Sequence, residues 1–373
     1  MDDRKLRAEV RAFAVRTMAA LGLRPRCDSW MVSHSPEFSR ALAARGWVGM
    51  TMPSEYGGHD RSFLERYVVN EELLALGAPV AAHWFADRQV GPSVLRHGTE
   101  EQRRRYLPGI AAAERYFAIG MSEADSGSDL AAVRTRATEV PGGWRLSGAK
   151  IWTSHAHRAH SILVLARTDP PAERRHTGLS QFLVDLDLDG VEVRPIATMD
   201  GEHHFNEVVF HDVLLGEDAL LGARGRGWEQ VTAELAYERS GPERFLSTMP
   251  LLRALMREAD CAGPAVGSLL AELRSVRVLS YQVAQMLDQG RVPTVRSALV
   301  KDLGTQLERR VVEVACSLAP VRPDPHSADE LPRLLGEALL HNPDRTLRGG
   351  TNEILRGIVA RDLVGSSAGR LVP

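Results

Sequence analysis

The chain has 373 residues, with 46 lysines and arginines against 48 aspartates and glutamates and a formal net charge of -2. That length supports a large core or several, and that balance gives no field to recruit nucleic acid or an anionic membrane, so the expected partner is a small molecule or another protein. Three scattered cysteines (Cys27, Cys261, Cys316) fit neither a disulfide framework nor paired zinc ligands; with a charged Met1-Asp2-Asp3-Arg4-Lys5 start and no run of about 20 apolar residues, the expectation is a cytoplasmic protein without a membrane span.

From Asp2 to about Ala112 apolar residues recur at three- and four-residue spacing, as in Leu6, Val10, Phe13 and Ala14, which predicts helices. Ser35-Pro36 reads as an N-cap followed by a first-turn proline, and Thr99 with Gln102 has the spacing of a capping box. Between about Arg115 and Gly222 short runs rich in Val, Ile, Phe and Thr alternate with turns such as Pro141-Gly142-Gly143 and Asp189-Gly190, which predicts a compact β-domain. After Gly227-Trp228 the helical period returns through Leu251, Leu252, Leu255 and Met256, then Leu269, Leu270 and Leu273, and runs to about Val364. The Pro-rich stretch Ala319 to Pro332 interrupts it as a loop. The result is an α+β multidomain chain divided into 1–113, 114–222 and 223–373.

General nucleotide signatures are missing: no GxGxxG follows a predicted strand and no GxxxxGK[ST] occurs. His155, His157 and His160 invite a metal reading, since alternate residues such as His155 and His157 share a face of a strand, but with no thiolate or placed carboxylate nearby the structural reading outweighs a metal site. Taken alone, Trp152 reads as core and the serines of 120–129 as loop formers.

Five segments change that reading when taken together and in order: GWVGMTMPSEYGG at 46–58, GMSEADSGSD at 120–129, GAKIWTSHA at 148–156, FNEVVFHDV at 205–213 and RGGTNEILRGIVAR at 348–361. In this order they resemble the acyl-CoA dehydrogenase flavoproteins over nearly the whole chain. The resemblance implies an N-terminal helical domain, a central β-barrel-like domain and a C-terminal helical bundle, with FAD between the last two at a subunit interface. It implies that Ile119, Met121, Ser122 and Gly127 line the flavin, that Trp152 packs against it and Ser154 reaches its N5 region, and that Thr351 and Glu353 touch its ribose and pyrophosphate. Ser128 would lie near the thioester and Arg239 would bind substrate.

Dehydrogenating an acyl thioester needs a carboxylate for the α-proton and two donors on the thioester oxygen. Many family members carry that carboxylate directly before the Gly-Thr of the C-terminal motif, where this chain has Gly349. A second branch, with isovaleryl- and long-chain-acyl enzymes and similar to actinobacterial acyl-CoA dehydrogenases, places it in a Glu-Arg pair early in the C-terminal domain. Here that pair is Glu238-Arg239, within ELAYERSGPERF at 234–245. A glycine at 349 would leave room for a carboxylate arriving from 238, its amide would be one oxyanion donor, and Pro242 should kink or end the helix carrying the base.

Two family features are missing from the sequence. READCAGPAVGS at 257–268 has no Arg-x-x-Phe-Gly segment to grip the FAD pyrophosphate across a subunit boundary, and SLAPVRPDPHS at 317–327 replaces a Gly-rich loop near the adenine. The expected assembly is therefore a homo-oligomer, dimer or tetramer, or a heteromer with a second acyl-CoA dehydrogenase-like subunit. The expected function is FAD-dependent α,β-dehydrogenation of an acyl-CoA or acyl carrier protein thioester, with electrons passed to an electron-transfer flavoprotein. Two alternatives stay open: a non-catalytic, cofactor-sharing subunit, and a flavin oxidase or monooxygenase on the same fold. His83, Trp84 and Phe85 are equally readable as acyl-pocket lining or core.

Overall fold

The computed structural model describes residues 3–171, 174–258 and 263–368. The Val-, Ile- and Phe-rich runs between 117 and 221 form β1 (Phe117–Gly120), β2 (Arg136–Val140), β3 (Gly143–Ser154), β4 (Ser161–Arg167), β5 (Leu179–Asp185), β6 (Val191–Ile196), β7 (Phe205–Gly216) and β8 (Leu220–Leu221). They join in one sheet in the order β6-β7-β3-β2-β4-β5-β8, with β1 beside β4. The β1–β4 pairing is parallel and β2 meets β4 only at Arg136 and Arg167, while the long β3–β7, β4–β5 and β6–β7 ladders are antiparallel. The predicted turn at Pro141-Gly142-Gly143 closes the β2–β3 hairpin with Gly142 at φ 81°. Gly143 has no alternative, because a Cβ there would lie 1.9 Å from the Leu215 carbonyl oxygen.

Strand β4 is buried on both faces, which is why SILVLAR reads as an unbroken apolar run rather than an alternating one. One face of the sheet closes over Trp144, Leu146, Val164, Phe182, Val208 and Phe210. On the other, Leu163, Leu183 and Leu221 pack against Tyr56, Val90, Val94, Tyr106 and Ile110 from helical segments.

Packing groups the described residues into two compact units. One contains the sheet with residues Ser35–Arg61 and Ala81–Glu234; the other takes the chain up to His34, Ser62–Val80 and everything from Leu235 onward. Each unit thus draws on more than one stretch of sequence, and the boundary falls inside the helix Gly227–Glu238. The second unit is helical: Asp3–Ala20, Phe63–Ala75, Met249–Glu258, the two 25-residue helices Pro264–Asp288 and Thr294–Leu318, Glu330–Leu340 and Asn352–Ala368. Its buried stripes follow the predicted spacing at Leu6, Val10 and Ala14 and at Leu251, Leu252 and Leu255, whereas Met256 and Leu270 fall off the stripe and are exposed.

The start signals act as read. Ser35 Oγ accepts from the Phe38 amide at 3.2 Å, and Thr99 and Gln102 cap each other reciprocally at 3.2 and 2.9 Å. Ser62 and Glu65 form a further capping box. The Pro-rich loop is shorter than predicted: a helix resumes at Glu330, and Pro332 sits in its first turn, where an amide has no intrahelical acceptor to lose. The helix Gly227–Glu238 ends four residues before Pro242, which opens a 3-10 turn, Pro242–Arg244. Thr99→Ala removes one half of a reciprocal cap and should lower stability by about 1 kcal/mol, read as a shift in the urea unfolding midpoint.

Candidate active site

In the sheet-containing unit, β1 delivers the half-buried Ile119 and then opens into the 120–129 loop. Lys150, fully buried on β3, supports this loop from behind: its Nζ donates to the Met121 carbonyl at 3.0 Å and to Glu123 Oε1 at 2.8 Å. Glu123 also accepts the amides of Arg134 and Thr135 at 2.6 and 2.9 Å, and it closes a two-way backbone turn with Ser126. Burial pulls the Lys150 ammonium down to about 8 despite the attraction of Glu123. Burial pushes the Glu123 carboxyl up, but the Lys150 ammonium and the donated hydrogen bonds outweigh it and hold the group below its ordinary value. Gly127 and Ser128 stand exposed at the loop tip, and a Cβ on Gly127 would meet nothing within 4 Å.

Read alone, Trp152 is core; the structure turns it out. The β3–β7 register shifts between Lys150 and Thr153, Trp152 takes φ 59°, and its indole is 55% exposed with one edge on Phe205 at 5.7 Å. Ser154, half-buried, ends β3 opposite Phe205. Among the described residues, the Met121 and Ser122 amides and the Ser122 hydroxyl have no protein partner, and the buried Thr153 hydroxyl has none either. An open indole face beside unengaged donors fits a planar heteroaromatic ring with an acceptor-rich edge, which is the chemistry of an isoalloxazine.

In the helical unit, the chain brings together Glu238, Arg239, Arg244 and the Gly349-Gly350 turn. Arg244 brackets Glu238, donating from Nη2 to Oε1 at 2.7 Å and from Nε to the Glu238 carbonyl at 2.9 Å. The second carboxylate oxygen has no donor among the described residues, and the Glu238 side chain is 18% exposed while that of Arg244 is 2%. Arg239, also buried, donates from Nε to the Gly349 carbonyl at 3.0 Å, so the residue expected to bind substrate is positioned to hold the turn. Gly349 and Gly350 have φ of 68° and 90°. A Cβ on Gly349 would lie 3.0 Å from Glu238 Oε1 and 3.1 Å from both Arg244 terminal nitrogens. The Gly349 amide has no acceptor among the described residues. Thr351 Oγ1 accepts from the Ile354 amide at 3.4 Å at the start of the last helix, where Glu353 is exposed.

Behind the turn lies Lys301, fully buried, donating to Asn352 Oδ1 at 2.8 Å and the Thr346 carbonyl at 3.4 Å. Burial, helped by Arg244 and Arg348, lowers it to about 7 against the pull of Glu238 and Asp302. Arg244, Lys150 and Lys301 were not singled out from sequence. The signals were a second Glu-Arg pair, Glu243-Arg244, inside the segment already chosen, and the rarity of lysine, which occurs only at 5, 150 and 301.

His83 and Trp84 are buried, the former hydrogen-bonded to Ser39 Oγ at 2.8 Å and lowered by burial to about 4, the latter under Arg88. His157 bonds Asn206 and His160 accepts the Tyr116 amide. Of READCAGPAVGS, residues 259–262, with Cys261, lie outside the described residues; its last five begin the helix Pro264–Asp288.

Gly349→Ala should reduce turnover more than it reduces stability, because the added methyl crowds the Glu238 carboxylate directly; steady-state rates beside a thermal melt separate the two effects. Lys301 also predicts a pH dependence. Its folded value lies near 7 and its ordinary value at 10.5, so between them the unfolded chain binds more protons and stability rises with pH. Lys301→Met lacks that titration, and wild type should gain on it steadily from pH 7 to pH 10 in melting experiments.

Residues 1–114 match the model of the acyl-CoA dehydrogenase N-terminal domain and residues 118–213 that of the middle domain. The chain is 34% identical over 344 residues to acyl-CoA dehydrogenase IpdE1 of Mycobacterium tuberculosis, covering 88% of this chain and 87% of that one. Among solved structures it is similar to the Tcur3481-Tcur3483 steroid acyl-CoA dehydrogenase, with a TM-score of 0.85, 28% identity and 97% of each chain covered. It is also similar to the ChsE4-ChsE5 complex of Mycobacterium tuberculosis, with a TM-score of 0.81, 27% identity and 97% of each chain covered. The ordered motifs, the helix–sheet–helix architecture and these likenesses agree, and the chain belongs to the acyl-CoA dehydrogenase family of FAD-dependent oxidoreductases.

Proposed function

We propose that this chain dehydrogenates an acyl thioester, carried on CoA or a carrier protein, to the trans-2-enoyl product, with Glu238 taking the α-proton. The observation that carries the reading is the asymmetry of the Glu238 carboxylate: one oxygen is fixed by Arg244 and the other is free, beside a turn whose residue 349 has no side chain and whose amide is unengaged. A fixed carboxylate with one open oxygen is pre-aimed for proton abstraction. The Gly349 amide would donate to the thioester oxygen as it gains charge, and the cationic Arg244 and Arg348 near the turn favour that charge. Arg239 holds the turn that presents this amide.

Ile119, Met121, Ser122, Gly127, Trp152 and Ser154 would hold FAD, with Ser128 toward the thioester, and the family resemblance assigns Thr351 and Glu353 to its ribose and pyrophosphate. When bound, FAD supplies the hydride acceptor for the β-carbon, and an electron-transfer flavoprotein would take the electrons onward.

A second reading is that the chain works as one subunit of a heteromer that shares its cofactor. It is favoured by the missing pyrophosphate-gripping segment in the sequence and by the names of two structural relatives, each of which pairs two proteins. One of these is a steroid enzyme, which places steroid-derived acyl groups on the substrate panel.

Glu238→Gln should cut turnover of any accepted acyl-CoA by about 10³-fold, a typical general-base effect, with the flavin-to-protein absorbance ratio unchanged. Unchanged turnover of the variant would sink the assignment of Glu238 as base.

A further inference from the structure

The base and the oxyanion donor proposed above come from distant parts of the sequence, yet one substrate must meet both at once, so their mutual register is as important as either group. One indole lies between their supports. The guanidinium of Arg244, which brackets Glu238, stacks on Trp30 at 5.0 Å from the ring centroid. So does the guanidinium of Arg348, the residue immediately before Gly349, also at 5.0 Å. Trp30 is 2% exposed, and its Nε1 donates to Ser247 Oγ at 3.1 Å, which stops the ring from swivelling. Ser247 is fixed in turn: its amide donates to Glu308 Oε1 at 2.8 Å and its hydroxyl to the Glu243 carbonyl at 3.0 Å. Arg348 is anchored at its far side by Asp28 Oδ1 at 2.7 Å, and Asp28, the residue before the short helix Ser29–Val32, also takes both terminal nitrogens of Arg345. The other arm of Arg348 is steadied by Asp344, whose Oδ2 lies 3.6 Å from Nη1.

From this arrangement, and resting on the reading of Glu238 as base, we infer that Trp30 is a positioning residue: its ring, stacked under Arg244 and Arg348, sets the Glu238 carboxylate against the Gly349 amide. Two guanidiniums brought to one ring repel each other in water. They share it here because the π-face is attractive to each and because Glu238, Asp28 and Glu308 supply compensating charge. An aliphatic residue at 30 would keep the burial and lose the stack.

The test uses the FAD-loaded protein with octanoyl-, isovaleryl- and cyclohexanecarbonyl-CoA, taking the fastest for wild type, and ferrocenium as electron acceptor. A second readout needs no acceptor: exchange of the substrate's α-hydrogen with D2O, followed as a mass increase in recovered acyl-CoA. In that step Glu238 takes the α-proton, the C–H electron pair moves into the thioester enolate, and the carboxyl exchanges with solvent and returns a deuteron. Trp30→Leu should lower kcat and α-exchange together by about 10²-fold, the scale of a 1 Å misplacement, with KM within about threefold and flavin content unchanged. Trp30→Phe, which keeps a smaller π-face, should lose less. If Trp30→Leu fails to fold, Arg244→Lys decides, since an ammonium cannot bracket carbonyl and carboxylate together. Folded Trp30→Leu or Arg244→Lys with kcat and exchange at wild-type values would overturn the inference. Glu238→Gln runs alongside: if it remains active the base assignment itself has failed, and if it is inactive while the other two are normal only the role of Trp30 has.

Discussion

The candidate site in the helical unit depends on residue 349 having no Cβ. The turn there runs at φ 68° and 90° over two glycines, a course that L-residues with side chains seldom follow, and the volume a side chain would fill already holds Glu238 Oε1 and both ends of Arg244. A carboxylate cannot come from 349 and from 238 at once. The Arg239 guanidinium on the Gly349 carbonyl fixes the turn from beneath, which leaves the amide on its other side unengaged. Geometry that would look like loss of a carboxylate in a motif comparison is, in three dimensions, clearance for another one.

Both units use buried cations in the same way. Lys150 stands under the 120–129 loop and Lys301 under the 346–352 segment, each fully buried and each bonded to a main-chain carbonyl of the segment it supports. Both arrangements are electrostatically unfavourable: burial draws the two ammonium groups down to about 8 and about 7, which means that the folded state holds their charge reluctantly. A leucine would fill either space without that desolvation cost, but it would leave the carbonyls each ammonium satisfies, and at Lys150 the Glu123 carboxylate, without their donor. What the lysines provide is direction, since a tetrahedral donor fixes the carbonyls around it and thereby which amides face outward.

Local signals in the sequence carried through to structure where the physics is local. Ser35, Thr99 and the Pro141-Gly142-Gly143 turn act through neighbours within a few residues, and each forms what its spacing predicts. Trp152 shows the limit. Its composition-based reading is core, and only the register shift between β3 and β7 exposes it, a property of the pairing that neither strand encodes alone. Arg244 shows another. The segment at 234–245 contains two Glu-Arg pairs, and nothing in their order distinguishes the carboxylate that faces outward from the guanidinium that turns back to hold it. Trp30 gave no signal at all, because stacking with Arg244 and Arg348 depends on three segments meeting.

The position of Glu238 poses an electrostatic problem that the same dozen residues solve. It is the last residue of its helix, where unpaired carbonyls and the helix dipole present negative charge, an unfavourable place for a carboxylate. Pro242 cannot prolong the helix, so the chain enters a 3-10 turn, and that turn swings Arg244 back over the helix end it has just left. There one guanidinium meets both sources of negative charge, Nε on the Glu238 carbonyl and Nη2 on its carboxylate. Lysine has only a point charge and could not span the two. The proline is therefore as much a part of this arrangement as the glutamate: without the break the arginine would continue along a helical path away from residue 238, and the carboxylate would face the helix dipole alone.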